Sequence, residues 1–165
     1  MVLVLARDGK VWIIETVKYD HSIPLKAEPV LVEGVDHVKS MLVSTDYDEI
    51  TFLKEDGTVW NIDDYNPWGS NKPLYDTIRF AKPVQLENLK DIVQLKNNHY
   101  AIKKDGTVWN WGRTTVFSKK SREVALTPVA PYQINEISDV VDVSSTLDHV
   151  FFVKKVGPQQ VEFRS

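Results

Sequence analysis

The sequence predicts an all-β protein made of propeller-like blades, and three observations support this prediction. An Asp-Gly hairpin signal recurs about every 50 residues, at Gly9, Gly57 and Gly106. The strand before each turn is apolar at successive positions, so both of its faces are expected to be covered. Turn-forming residues interrupt the chain too often for helices, and β-branched residues dominate its apolar set. Stacked four-stranded sheets account for all three observations.

Each repeat begins with an apolar strand that enters the Asp-Gly turn. We expect a two-residue type I′ turn, in which both central residues have positive φ. The return strand carries a Val-Trp pair at a constant distance from the glycine, and its regularity predicts core packing for the tryptophans. The three pairs are Val11-Trp12, Val59-Trp60 and Val108-Trp109. A degraded fourth copy surrounds Gly157, as is typical of a terminal repeat.

Short strands are also predicted before each later hairpin, bounded by Pro, Gly, Asn and Asp. They fall within residues 29–38, 83–95 and 128–144. We therefore expect one repeat domain over residues 1–165. Its parts are repeat 1 with its following strand segment (1–52), repeat 2 (53–101), repeat 3 (102–152) and a degraded terminal hairpin (153–165).

Composition narrows the possible functions of the chain. The 165 residues contain no cysteine, which excludes disulfides, thiolate nucleophiles and cysteine-ligated metals. A net charge of -3 gives no electrostatic reason to expect nucleic acid or an anionic membrane as partner. No apolar run is long enough to span a membrane, and no secretory signal is apparent, so a cytoplasmic location is expected.

Three stretches between a return strand and the next proline are predicted to be variable loops, and loops are where binding residues concentrate. They are residues 16–28, 62–82 and 113–127. Aromatic residues outside the repeat register are typical interface anchors, although packing within the loop is nearly as good an explanation. The predicted binding residues are the aromatics Tyr65, Trp68, Tyr75 and Phe117, the basic Arg113, Lys119, Lys120 and Arg122, and the acidic Asp63 and Asp64.

Charge is distributed unevenly between neighbouring repeats. Residues 46–64 contain seven acidic residues against Lys54, whereas residues 103–122 contain six basic residues against Asp105. This polarity suits steering of a charged protein partner or head-to-tail contact between subunits, although solvated loop faces explain it equally well.

Catalytic and metal-binding patterns are absent from the sequence. His21, His37 and His99 lack the paired spacing of a zinc site. The acidic residues 46–49 and 55–56 fail the calcium-loop pattern and favour a solvated edge. We therefore expect no enzymatic activity, no cofactor and no metal.

Residues 103–112 read Lys-Lys-Asp-Gly-Thr-Val-Trp-Asn-Trp-Gly, and Val140–Val153 contains a valine-rich strand, serine and then His149. With these phrases the repeat resembles the regulator of chromosome condensation family, especially its bacterial members, and is similar to the propeller-type β-lactamase inhibitor proteins. The resemblance covers nearly the whole chain. It implies a β-propeller of four-stranded blades that binds and inhibits another protein, and a structural role for His149.

The chain departs from that family in two respects. The family's Asn-x-x-Gly-Gln-Leu-Gly loop after Trp-Gly is absent, since Gly112 is followed by Arg113, Thr114 and Thr115. Nucleotide exchange on a GTPase therefore has no support from the residues. Three full repeats and one hairpin are also too few for a standard closed propeller. We expect an open or partial propeller that a homodimer or higher homo-oligomer completes, unless the chain is part of a longer one.

The function that these observations predict is a non-enzymatic protein-binding module whose blade loops contact, and inhibit or neutralise, a partner protein. A carbohydrate-binding propeller is the alternative, in which the loop aromatics would stack on sugar rings. An enzyme with a central site is a third reading, for which no acid, base or metal set can be identified.

Overall fold

A computed structural model describes residues 2–14, 28–44, 49–63, 81–97, 99–118, 123–146, 149–157 and 160–164. Strands and turns make up these residues, without a helix, so the all-β prediction is confirmed. The strands are β1 (Val2–Leu5), β2 (Val11–Ile14), β3 (Val30–Leu31), β4 (Val38–Ser44), β5 (Glu49–Lys54), β6 (Val59–Asp63), β7 (Val84–Gln85), β8 (Ile92–Lys96), β9 (Tyr100–Lys103), β10 (Val108–Ser118), β11 (Glu123–Gln133), β12 (Val140–Ser145), β13 (Val150–Val156) and β14 (Gln160–Arg164).

The strands form four sheets in which neighbours in sequence are neighbours in space. The first sheet is β1-β2-β3, the second β4-β5-β6-β7, the third β8-β9-β10-β11 and the fourth β12-β13-β14. The registered pairs of the first, third and fourth sheets are antiparallel, as is the β4–β5 pair. The predicted repeat boundaries at 52/53, 101/102 and 152/153 fall inside β5, β9 and β13, so the sheets are out of phase with them.

The chain divides into two compact units. The first contains residues 1–55 and 60–84, and the second contains residues 56–59 and 85–165. In the first unit the core joins β2 to the second sheet through fully buried side chains. They are Val11, Ile13, Ile50, Phe52 and Ile62. In the second unit Ile102 and Val108 of the third sheet pack with Val143 and Phe152 of the fourth.

The Asp-Gly turns contain three residues, so the prediction of a type I′ turn is wrong. Lys103 N–H donates to Thr107 O and Gly106 N–H donates to Lys103 O, both at 2.9 Å. Gly106 has φ +80, whereas Asp105 is not among the residues with positive φ. This pattern is a type I turn followed by a left-handed residue. The carboxylate of Asp105 closes the turn by accepting the Thr107 N–H and hydroxyl at 2.9 and 2.7 Å.

The valines of the Val-Trp pairs are fully buried, whereas the tryptophans are half-buried. Trp60 packs against the core of the first unit, so the predicted core packing holds there without complete burial. Lysine ammonium groups lie over two of the rings. Lys54 Nζ is 4.8 Å from the ring centroid of Trp60, and Lys103 Nζ is 4.0 Å from that of Trp109. Cation–π contact with a lysine side chain therefore accompanies the partial burial of these two rings.

The turn glycines Gly9, Gly57 and Gly106 each lie against the residue that precedes the first strand of a following sheet. In the second unit a Cβ on Gly106 would lie 3.0 Å from Asp139 Cα, and one on Gly57 would lie 3.2 Å from Asp91 Cα. In the first unit a Cβ on Gly9 would lie 3.0 Å from His37 Cα. These three neighbours have φ of +52 to +59, a region that Asp and His tolerate better than β-branched residues do.

Hydrogen bonds accompany these contacts. The carbonyl of each glycine accepts a hydrogen bond from the N–H of the residue that follows its left-handed neighbour. Val38 N–H donates to Gly9 O at 2.9 Å, Ile92 N–H to Gly57 O at 3.0 Å and Val140 N–H to Gly106 O at 3.0 Å. The turn glycine is therefore required both for its own backbone conformation and for the space beside it.

The prediction of a loop over residues 113–127 is wrong for residues 113–118 and 123–127, which form paired strands. The pairing of β10 with β11 runs from Trp109↔Gln133 to Ser118↔Glu123, with an irregularity between Asn110 and Gly112. Threonine and valine on both arms favour the extended conformation, which explains the pairing.

We expect Gly106→Ala to destabilise the protein more than Gly157→Ala, and urea denaturation will measure the difference. Both glycines have positive φ, so each substitution costs about 1–2 kcal/mol for the left-handed conformation. A Cβ at Gly157 meets nothing within 4 Å, whereas one at Gly106 clashes with backbone. The clash adds about 1–3 kcal/mol. Equal losses in the two variants would contradict the steric role of Gly106.

Candidate functional site

Most of the predicted binding residues lie outside the described residues. They are Asp64, Tyr65, Trp68, Tyr75, Lys119, Lys120 and Arg122. Asp63 is in β6, and both Arg113 and Phe117 are in β10, so these three are strand residues rather than loop residues. The Arg113 side chain is half-buried, and its Cα is paired with that of Pro128. The structure therefore directs attention to a surface that the sequence did not indicate.

A groove of about 370 Å³ lies in the second unit, between the β9–β10 turn and the facing strands β8 and β12. We call it the lysine-rimmed groove. Its characteristic residues are Val93, Val141, Lys103, Lys104, Lys155 and Asp139.

The walls of the groove follow from the strand pattern. Ile92 and Val140 begin their strands buried, and the pairing register of each strand shifts at the next residue, Val93 or Val141. Val93 is 42% exposed and Val141 is 49% exposed. Contact between Gly106 and Asp139 brings the turn against β12, which places the lysines of the turn beside these valines. Exposed apolar side chains with charged neighbours are typical of an interaction surface.

Three ammonium groups and two carboxylates line this groove, so its balance is basic. Lys103, Lys104 and Lys155 carry the positive charge, and Asp105 and Asp139 carry the negative charge. The pKa of Asp105 is lowered, first by the hydrogen bond from the Thr107 hydroxyl and then by that from the Thr107 N–H. The Asp105 carboxylate is thus hydrogen-bonded within its own turn. The Asp139 carboxylate accepts a hydrogen bond from Ser138 Oγ at 2.9 Å.

An ion pair joins the third and fourth sheets near the groove. Lys96 Nζ lies 2.5 Å from Asp142 Oδ1, and the Lys96 side chain is largely covered. The hydrogen bond from Lys96 is the main cause that lowers the pKa of Asp142. Burial opposes it, and the positive charge of Lys96 and the Val143 N–H add smaller lowering effects. The pair fixes β8 relative to β12, the two strands that carry the exposed valines.

His99 is a packing residue that sequence reasoning left unassigned. Its ring meets Trp111 edge-on, with 5.6 Å between centroids, and a Cβ on Gly112 would lie 3.1 Å from His99 Nδ1. The His99 carbonyl accepts the Trp111 N–H and the Asn110 side-chain amide at 3.2 and 3.0 Å. Gly112 therefore follows Trp111 because the histidine ring occupies the space where a side chain would lie.

The remaining described histidines have local contacts. His149 is exposed; its N–H donates to Thr146 Oγ1 at 3.1 Å and its ring stacks on Phe151. His37 is exposed and precedes β4, where its Nδ1 is 3.9 Å from a Glu55 carboxylate oxygen.

Glu49 corrects the prediction of a solvated acidic edge at its position. The residue is 3% exposed at the start of β5. Its Oε1 accepts hydrogen bonds from Thr51 Oγ1 at 3.2 Å and from Asn61 Nδ2 at 3.4 Å. The described residues contain no group of three or more His, Asp or Glu placed to hold a metal.

Comparison of the chain with protein-family models, with curated proteins and with solved structures finds no match. Within the described ranges, no helix has the length and apolar character needed to cross a membrane.

We expect Glu49→Ala to destabilise the protein by about 1–3 kcal/mol, because it leaves a buried donor on Thr51 and a half-buried donor on Asn61 without their acceptor. Urea denaturation will measure this loss. Glu55→Ala is the matched control, since the Glu55 side chain is exposed in the turn that follows the same strand. Its expected effect is within about 0.5 kcal/mol. Similar effects of the two variants would contradict a structural role for Glu49.

We expect Asp142→Asn to lower stability at neutral pH and to change its pH dependence. Because the folded pKa of Asp142 lies below its ordinary value of 3.8, the ion pair stabilises the fold above that pH. This contribution is lost as the pH falls through the folded pKa. It should stay below about 1 kcal/mol, because the carboxylate is half-exposed.

Urea midpoints measured from about pH 7 to about pH 2 will test this expectation. The difference between wild type and Asp142→Asn should vanish in acid. Lys96→Met should abolish the same pH-dependent difference, and the double variant should add nothing. Additive losses would show that the two side chains are not coupled.

Proposed function

We propose that this protein is a non-enzymatic protein-binding module that uses the lysine-rimmed groove to hold an acidic, partly apolar segment of another protein. One observation carries the proposal: two exposed valines lie beside three lysines in a single groove. Apolar side chains of the partner would cover Val93 and Val141, and its carboxylates would meet the ammonium groups. Such complementarity contributes to both association rate and specificity.

The proposed scaffold is an open, propeller-like array in which each of the four sheets is one blade. The recurring contact of the turn glycine and the recurring order of strands within the sheets support this architecture. The sequence phrase at residues 103–112 supports a relation to regulator of chromosome condensation repeats. By that resemblance, the module would inhibit its partner by covering a functional site.

Rigidity of the groove supports its use as a preformed surface. Its turn is closed by Asp105, packed through Gly106 and held beside β12 by the hydrogen bond from Val140 N–H to Gly106 O. Lys103 is held over the Trp109 ring, so part of its side-chain freedom is already lost before binding. A preformed site costs less ordering entropy when it binds.

A fluorescent peptide of alternating Leu and Glu residues is the probe for this proposal, with fluorescence anisotropy as the measurement. We expect the wild type to bind it and to lose affinity as salt rises, since part of the attraction is electrostatic. Lys103→Glu combined with Lys155→Glu should weaken binding at least about tenfold.

Lys90→Glu combined with Lys39→Glu is the matched control, because it changes the same charge at exposed lysines that do not line the groove. Val141→Ser should weaken binding without changing the salt dependence. Equal losses in the control, or binding of an uncharged Leu-Gln peptide as tight as that of the Leu-Glu peptide, would overturn the assignment of the groove.

A further inference from the structure

The first sheet leaves one apolar face exposed. Val4, Trp12 and Leu31 lie side by side across β1, β2 and β3, because Val4 pairs with Trp12 and Trp12 pairs with Leu31. Val2 and Ile14 form the next pair on the same side. Val2 is 46% exposed, Val4 40% and Leu31 38%. We call these five residues the tryptophan face of the first sheet.

Comparison of equivalent positions in the first and second sheets indicates what the tryptophan face of the first sheet would contact. Counted from the turn glycine, Val2, Val4, Trp12 and Ile14 correspond to Ile50, Phe52, Trp60 and Ile62 of the second sheet. In the second sheet those residues are not exposed. Ile50, Phe52 and Ile62 are fully buried, and Trp60 packs against them. The same positions are thus covered in one sheet and open in another.

In the first unit, these residues of the second sheet are covered by the side of the first sheet that lies opposite its tryptophan face. Val11 and Ile13 belong to the same buried cluster, with Leu3 and Leu5 packed against it. We call the side of a sheet whose residues lie an even number of positions from the turn glycine its valine face. The other side, whose residues lie an odd number of positions away, is its tryptophan face. The first unit therefore packs a valine face onto a tryptophan face.

The second unit repeats this packing with different residues. Ile102 and Val108 of the third sheet, with Tyr100 beside them, form a cluster with Phe152 of the fourth sheet, and Val150 packs against that cluster. By offset, Tyr100, Ile102 and Val108 lie on a valine face, while Phe152 and Val150 occupy the positions of the tryptophan face. The pairing of faces is therefore a rule of this repeat.

The valine face of the fourth sheet is partly exposed as well, since Phe151 is exposed and Val153 is half-buried. Phe151 and Val153 lie on it, at the offsets of Leu3 and Leu5. Phe151 is 39% exposed, and its ring stacks on that of His149 with 6.3 Å between centroids. One chain thus presents both halves of a contact that it already makes twice.

The geometry points to a head-to-tail interface between two copies of this chain, in which the valine face of the fourth sheet of one copy packs on the tryptophan face of the first sheet of another. Different surfaces meet, so the contact is heterologous and propagates into a ring or a filament. Stacking of repeats through the same nearest-neighbour contact is how repeat arrays grow.

Sedimentation velocity over a range of concentrations will test the interface with two variants. Val4→Asp and Phe151→Asp each place a charge on one exposed face, and each should raise the dissociation constant of self-association at least about tenfold. Val84→Asp is the control, since Val84 is exposed on β7 and belongs to neither face. Thermal melts will establish that all variants are folded.

Mixing distinguishes a head-to-tail contact from a symmetric one. Val4→Asp keeps an intact fourth sheet and Phe151→Asp keeps an intact first sheet, so an equimolar mixture should form heterodimers that grow no further. A wild-type chain that remains monomeric at the highest concentration would overturn the proposal. So would a mixture that forms no complex, or Phe151→Asp that associates like the wild type.

Cross-linking provides a readout that depends less on stability. The chain has no cysteine, so Val4→Cys and Phe151→Cys each introduce a single thiol. A short bis-maleimide should join Val4→Cys to Phe151→Cys in the mixture and should give few dimers with either variant alone. Dimers formed by Val4→Cys alone would instead indicate a symmetric contact and contradict the proposal.

Discussion

The contact between a turn glycine and a left-handed residue is the constraint on which the rest of the structure depends. At Gly9, Gly57 and Gly106, a Cβ would meet backbone at 3.0–3.2 Å. The neighbouring backbone is itself left-handed, at His37, Asp91 and Asp139. Because the glycine carbonyl accepts an N–H from the start of a strand, the contact fixes where that strand begins. A strand that began one residue later would turn its other side to the core.

Sheet packing and the candidate binding surface both follow from this arrangement. Val11 and Val108 are fully buried in their units, whereas their neighbouring tryptophans are half-buried. The contact at Gly106 also places a lysine-bearing turn beside β12, where Val141 is exposed next to buried Val140. One backbone contact thus builds part of the core and the surface that we propose for binding.

Polar residues, some exposed and some buried, serve the scaffold at several positions. The Asp105 carboxylate closes a turn, Glu49 accepts hydrogen bonds inside the second sheet, and the His99 carbonyl joins two neighbouring groups of β10. At Glu49, which is buried, the hydrogen bonds offset the cost of removing a polar group from water. Acidic residues and histidines that suggest chemistry in a sequence therefore act here as structural parts.

Local patterns in the sequence were sufficient to predict the all-β class, the hairpins at Gly9, Gly57 and Gly106 and a further hairpin around Gly157, because strand alternation and turn chemistry act over a few residues. They did not reveal the three-residue turns, which depend on hydrogen-bond geometry, or the pairing of β10 with β11. Of the predicted site residues, Arg113, Phe117 and Asp63 proved to be in strands, and the others lie outside the described residues. The burial of Glu49 and the exposure of Val93 and Val141 were decided only by the tertiary structure, because burial depends on which distant residues pack against a side chain.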